Sequence, residues 1–203
     1  MSQSIRFNLT LSKVLQFIVL VYQAIAVIVF IVALFFANAW LKQPFLGAFF
    51  EPTLTRNDAG PTNPSEAWQL VNQGVQHGDQ LISVAGEEVH SARDVGGVLK
   101  GYFPGETISV IFRSVNGEVQ TYDVTLHRFP APDRTTYLVI PSLVCIAFLA
   151  LSLWIFGLRR SEPAGRAFTI FASSMAIVAG TFFDLYTTHQ FSYLLRRTFR
   201  SVI

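Results

Sequence analysis

One cysteine, Cys145, stands among the 203 residues, and it lies inside an apolar run. An internal disulfide and a cysteine metal site are both excluded, and thiol usage does not reveal a redox compartment. Charge is scarce too. Asp, Glu, Lys and Arg make up 14% of the chain while 51% is hydrophobic, against roughly 25% charged in an ordinary soluble domain. Membrane-buried helices produce that deficit. Catalytic signatures are missing as well. His77, His90, His127 and His189 form no H-E-x-x-H, and no serine sits in a G-x-S-x-G turn. The expectation is a non-enzymatic protein with no catalytic residue, no metal and no cofactor.

The charge that is present is unevenly placed. Residues 44–129 carry Asp or Glu at 51, 58, 66, 79, 87, 88, 94, 106, 118 and 123, against Lys or Arg at 56, 93, 100, 113 and 128, a net −5. The remainder is net +7. The basic excess therefore follows membrane topology and does not point to nucleic acid.

Three apolar runs supply candidate spans. Residues 14–37 follow a short N-terminal segment, 1–13, and are interrupted only by Gln16 and Gln23. Their length of about 36 Å crosses a hydrocarbon core of roughly 30 Å with some tilt. Arg6, Lys13 and the Ala37-Asn38-Ala39 pattern also fit a signal peptide, but the run exceeds an ordinary signal core, so an uncleaved anchor is expected. Residues 137–158 form the second span, with Pro141 in its first turns. The third, residues 167–183 with its limit drawn at 186, carries Ala172, Ala176 and Gly180 at four-residue spacing. Such a row admits another transmembrane helix at close range, with Ser173 and Ser174 beside it to hydrogen-bond across the contact. Arg6, Arg159, Arg160 and Arg166 place the N-terminus and the loop between spans two and three in the cytoplasm, and residues 44–129 outside. Arg196, Arg197 and Arg200 in the tail, 187–203, run against that topology. They fit either a tail lying on lipid headgroups or a chain that stops before further spans.

Between the first two spans the pattern changes to that of a folded α+β domain. Asn63-Pro64-Ser65-Glu66 reads as a helix start, with residues 67–71 helical and Gly74 as the stop. A strand follows at Gln80–Val84, then a turn at Ala85-Gly86. Ser91-Ala92-Arg93-Asp94 resembles a capping box and opens a helix with Val95, Val98 and Leu99 on its apolar face, ended by Gly101. Ile108, Val110 and Phe112 alternate along one hairpin strand, and Tyr122, Val124 and Leu126 along the other, with Asn116-Gly117 as a type I′ signal between them. Asp184, ending the third span, and His189 are weighed as a pair. Five residues apart, they lie on different helix faces and meet only if the helix ends between them.

The segment resembles a bacterial PDZ domain of the kind found in envelope proteases and sensors. The residues carrying the resemblance are the stretch 74–86, Gly-Val-Gln-His-Gly-Asp-Gln-Leu-Ile-Ser-Val-Ala-Gly, and Pro104-Gly105-Glu106 before the hairpin. The stretch departs from the family at Ala85, where Asn or Asp is common. The resemblance implies a small β-barrel-like domain inserted in a three-helix membrane protein. It implies that Phe45, Leu46, Gly47 and Ala48 form a carboxylate-binding loop and that residues 48–52 form the strand on which a peptide pairs. Phe49, Phe50, Val95, Val98 and Leu99 would then complete a peptide groove, although strand alternation sends at least one of Phe45, Phe49 and Phe50 into the core.

The arrangement as a whole is similar to the N-terminal region of PDZ-bearing membrane histidine kinases, including competence-pheromone sensors. Residues 159–168 and 184–189 carry that likeness. It implies a multi-pass protein of the cytoplasmic membrane that contacts lipid and binds a peptide or protein C-terminus at the extracytoplasmic face. The chain has no room for a kinase domain, so it reads as a sensor module alone or a truncated relative. The residues leave two functions open: a sensor or adaptor that binds peptide, and an accessory or degenerate piece of a membrane protease or kinase.

Overall fold

A computed structural model describes residues 2–191, with side chains from Leu11 onward. The basic cluster Arg196, Arg197 and Arg200 lies outside the described residues. Two compact units divide the chain: Met1–Leu34 with Val139–Phe182, and Phe35–Leu138 with the residues from Phe183 on.

The first unit is helical. Helix α1 runs unbroken over Ser2–Trp40, longer at both ends than the apolar run predicts, and it includes the Ala37-Asn38-Ala39 pattern. Two stretches are long and apolar enough to cross a membrane, Leu11–Trp40 and Ala131–Arg159. The second combines α4 (Ala131–Arg134), a π turn (Thr135–Val139) and α5 (Ile140–Arg159). The wide turn directly precedes Pro141, whose ring would crowd the Tyr137 carbonyl in a regular helix. Thr135 and Thr136 donate their hydroxyls to the carbonyls of Ala131 and Pro132 at 3.1 and 3.2 Å.

Helix α6 spans Pro163–Gly180, and the chain then breaks before α7, Phe182–Tyr186. The third apolar run is thus not one continuous helix. Thr181 turns its hydroxyl back onto the Ile177 carbonyl at 2.8 Å, and its backbone leaves helical geometry.

Within this unit α1, α5 and α6 share a buried polar knot. Gln23 donates its Nε2–H to Ser152 Oγ at 2.8 Å, and Ser152 lies 2.8 Å from Ser173. Ser152 also donates to the Thr169 carbonyl at 3.2 Å. A serine has one O–H to give, so Gln23 and Ser173 fill its two lone pairs. Tyr22 and Ser174 pair at 2.9 Å. Ala172 and Ala176 are fully buried, and a Cβ on Gly180 would meet Cys145 Sγ and Phe30 at 3.0 Å. The small-residue row packs inside this chain's own bundle.

The second unit is built on a four-stranded antiparallel sheet, ordered β2-β1-β3-β4. Strand β1 (Gln80–Val84) matches the predicted strand. It joins β2 (Glu87–Glu88) through Ala85-Gly86, with φ of +51° and +83°. These values make the two-residue turn that suits the right-handed twist of a hairpin. Strands β3 (Thr107–Arg113) and β4 (Val119–Thr125) bury Ile108, Val110, Phe112 and Val124, as alternation predicts. Their turn differs from the predicted type I′. Ser114 closes on Glu118, Gly117 alone has positive φ, and its N–H returns to the Ser114 carbonyl at 2.8 Å. That is a type I turn followed by a left-handed glycine, a three-residue loop.

Helix α3 (Ala92–Leu99) begins where the capping box predicts. The Ser91 side chain accepts from the Asp94 N–H, and Asp94 reaches back to the His90 N–H at 3.0 Å. These bonds hold the Asp94 carboxyl below its usual range, the His90 bond first. The other predicted helix is displaced. Helix α2 is only Gln69–Asn72, so Asn63 is not its cap. Burial of Trp68 decides the difference: its side chain is fully enclosed and its indole N–H donates to Asp133 at 2.7 Å.

Candidate functional site

The second unit contains a cleft of about 370 Å³. One wall is α3, through Ala92, Val95, Gly96, Gly97 and Leu99. The facing wall is the loop and extended segment from Pro44 to Phe50. The last turn of α1, at Phe36, Ala39 and Trp40, and the segment from Tyr186 to Gln190 complete the lining.

Residues 48–52 do not form the predicted strand. Their ladder is reduced to one bridge, Phe50 to Arg56, because the chain reverses at once: Leu54 adopts φ of +62° and its N–H bonds the Glu51 carbonyl at 2.9 Å. Pairing with the returning chain uses Phe49 and Glu51, through Asn57 N–H to the Phe49 carbonyl and Glu51 N–H to the Thr55 carbonyl. Backbone groups alternate in direction along an extended chain, so the amide and carbonyl of Phe50 face the other way, toward the cleft.

The residues assigned to the groove separate into three groups. Ala48, Phe50, Val95 and Leu99 line the cleft, with Leu46 buried beside them. Phe45 and Phe49 line it at one edge, but both are almost wholly buried in an aromatic cluster with Trp68, Phe129 and Phe183. Centroid distances of 5.0–5.1 Å join Phe45 to Trp68 and Phe129 edge-to-face. Gly47 and Val98 are not on the cleft wall. Gly47 holds φ of +94°, and a Cβ there would lie 2.8 Å from the Gln69 N–H nitrogen, so it lets the loop close onto α2. Val98 packs against the sheet core.

The Gly-Asp pair of the recognised stretch has a structural task. Asp79 accepts from the Gln76 N–H at 2.8 Å and the Val115 N–H at 3.4 Å, pinning the turn before β1 to the β3–β4 loop.

Sequence reasoning paired Asp184 with His189 but missed the contact of this segment with the cleft. Asp184 is 5% exposed, and its carboxylate accepts from the Thr188 hydroxyl, the Gln190 N–H at 3.0 Å and the Phe191 N–H at 3.2 Å. Its carbonyl accepts the His189 N–H at 2.9 Å. The turn so formed presents His189 at φ of +52°, 1% exposed, with Nε2–H donating to the Phe50 carbonyl at 2.7 Å. Arg93 on α3 donates to the Gln190 side chain at 2.9 Å. Asp184 and His189 are therefore linked through backbone and turn, with the helix ending between them. Histidine at the end of an apolar span was the one available signal. Its target is 139 positions away, and no local pattern encodes that.

No protein-family model matches the chain, and no curated protein does. Among solved structures, one described as the HtrA-type protease AlgW with decapeptide aligns at 17% identity with a TM-score of 0.34. The alignment covers 44% of this chain and 30% of that one.

Proposed function

We propose that the second unit is a PDZ-like domain that binds extended peptide, carried on membrane helices as the input module of a sensor or adaptor, without catalysis of its own. The observation that carries this reading is the cleft between α3 and residues 48–50, toward which the Phe50 backbone faces, its carbonyl bonded there by a side chain, His189, and not by a strand. A backbone edge that carries no strand on its cleft side, beside an apolar-walled cleft, is what a peptide needs to add as a strand once the His189 contact is released. The left-handed Gly47 at the end of that edge supports a terminal-carboxylate nest in the same loop. Arginines at 6, 159, 160 and 166 support three crossings with this unit outside the cytoplasmic membrane.

The test uses the full chain in lipid nanodiscs and a peptide library with free C-terminal carboxylates, each peptide also made as its amide. Gly97→Trp is the blocking variant. Gly97 lines the cleft, and a Cβ there meets nothing within 4 Å, so a large side chain is added at the groove's rim without displacing backbone. Binding of carboxylate peptides, weakened at least about tenfold by Gly97→Trp, is the expected result, equivalent to about 1.4 kcal/mol. Absence of binding by both the wild-type chain and its His189→Ala variant overturns the reading.

A further inference from the structure

We propose that the cleft is closed in cis by the chain's own segment after α7, with His189 as the latch, and that acid opens it. This rests on the peptide-binding reading of the same cleft. A peptide adding to residues 48–50 needs the Phe50 carbonyl, and His189 already occupies it at 2.7 Å. The latch is a built element. Asp184 folds the turn through five accepted hydrogen bonds, and Arg93 clasps Gln190 to the opposite wall at 2.9 Å. The segment therefore contacts both sides of the groove that a ligand would span.

The bond to a carbonyl fixes the tautomer: Nε2 carries the hydrogen. Nδ1 is then a bare lone pair, buried and without a partner among the described residues. Neutral imidazole tolerates this site. Imidazolium would bring a second N–H with no acceptor among the described residues to receive it, in a place almost closed to water. Burial accordingly pushes the His189 pKa down, only partly offset by the Phe50 bond and by Asp184 and Glu51. Among the described residues, the charged groups around the latch are Asp184 on α7, Glu51 beyond the extended segment, and Arg93 and Lys100 on α3. The two carboxylates are already engaged. Asp184 holds the turn and Glu51 accepts from Asn57, so neither is positioned to receive a proton from Nδ1.

The direction of the pH effect follows. The closed form, with its lowered pKa, binds fewer protons than the open form, whose imidazole titrates near its ordinary value of about 6.5. Closure is at full strength above that value. It weakens about tenfold per pH unit below it, until the lowered pKa is reached.

Hydrogen exchange on the full chain in nanodiscs tests the latch directly, since the amides of His189, Gln190 and Phe191 are all bonded to Asp184. Corrected for intrinsic exchange, their protection should fall about tenfold per pH unit below about pH 6.5. In His189→Gln, whose amide keeps a donor for Phe50 but does not titrate, protection should stay level. In His189→Ala it should be low at every pH. Level protection in the wild type, or an equal fall in His189→Gln, overturns the proposal. The peptide library separates it from the reading beneath it. Peptides that bind wild type and His189→Ala equally at neutral pH refute the latch while the groove stands. Protection that responds as described, in a protein that binds no peptide in either form, leaves the latch standing and removes the groove's function.

Discussion

Trp68 and Asp133 lie 65 positions apart, yet the Trp68 indole N–H donates to the Asp133 carboxylate at 2.7 Å with both side chains buried. The bond ties the approach to α2 to the first turn of α4, beneath the aromatic cluster. Trp68→Phe keeps most of the ring contacts but strands a buried carboxylate. Its expected cost is about 2–3 kcal/mol, in the range for hydrogen bonds to charged groups. Asp133→Asn retains an acceptor oxygen and should cost less than about 1 kcal/mol. Thermal unfolding of the two variants, followed by circular dichroism, checks the contrast. Equal losses would mean that the bond depends on the carboxylate's charge and not on the acceptor oxygen alone.

What was legible in the sequence was local. Period-two alternation marks β3 and β4, and Ser91 with Asp94 marks α3, because the signal and the structure it specifies occupy the same few residues. The start of α2 was misread because a cap signal at Asn63 competes with burial of Trp68, and burial of a large aromatic outweighs a cap worth about 1 kcal/mol. The site was half legible. Val95 and Leu99 follow from helix periodicity. The contact of His189 with Phe50 is set by tertiary structure alone.

Ala85 occupies a position that an L side chain bearing only a methyl group rarely takes. Its φ is +51°, where Cβ crowds the following carbonyl at a cost of about 1–2 kcal/mol. Asparagine tolerates this conformation better, so Ala85→Asn should stabilise the β1–β2 hairpin by about 0.5–1 kcal/mol. A higher unfolding midpoint is the check. A lower one would show that the partly buried methyl contributes more to the core than the turn loses to strain.

Ser152 is the junction of the helical unit. Ser152→Ala removes the hydroxyl that Gln23 and Ser173 donate to and that bonds the Thr169 carbonyl. The expected loss is about 0.5–1.5 kcal/mol, the range for an intramolecular hydrogen bond. Gly165→Ala should cost more, because its methyl would fall 2.3 Å from the Arg159 carbonyl oxygen. Detergent-induced unfolding ranks the two, and the reverse order would mean that the α5–α6 loop yields easily.

Membrane orientation is open to a direct test because Cys145 is the only native thiol and is buried. In a Cys145→Ala background, Glu87→Cys and Glu162→Cys place single reporters at exposed positions, one in β2 and one between α5 and α6. Arg159, Arg160 and Arg166 surround the second reporter, while the net-negative segment 44–129 holds the first. Translocating a short basic loop is disfavoured, so position 162 should remain inside. A membrane-impermeant maleimide applied to intact cells should label position 87 at once and position 162 only after permeabilisation. The opposite pattern would invert the topology and place the cleft in the cytoplasm, where the proposed acid release would have to answer to the cell interior.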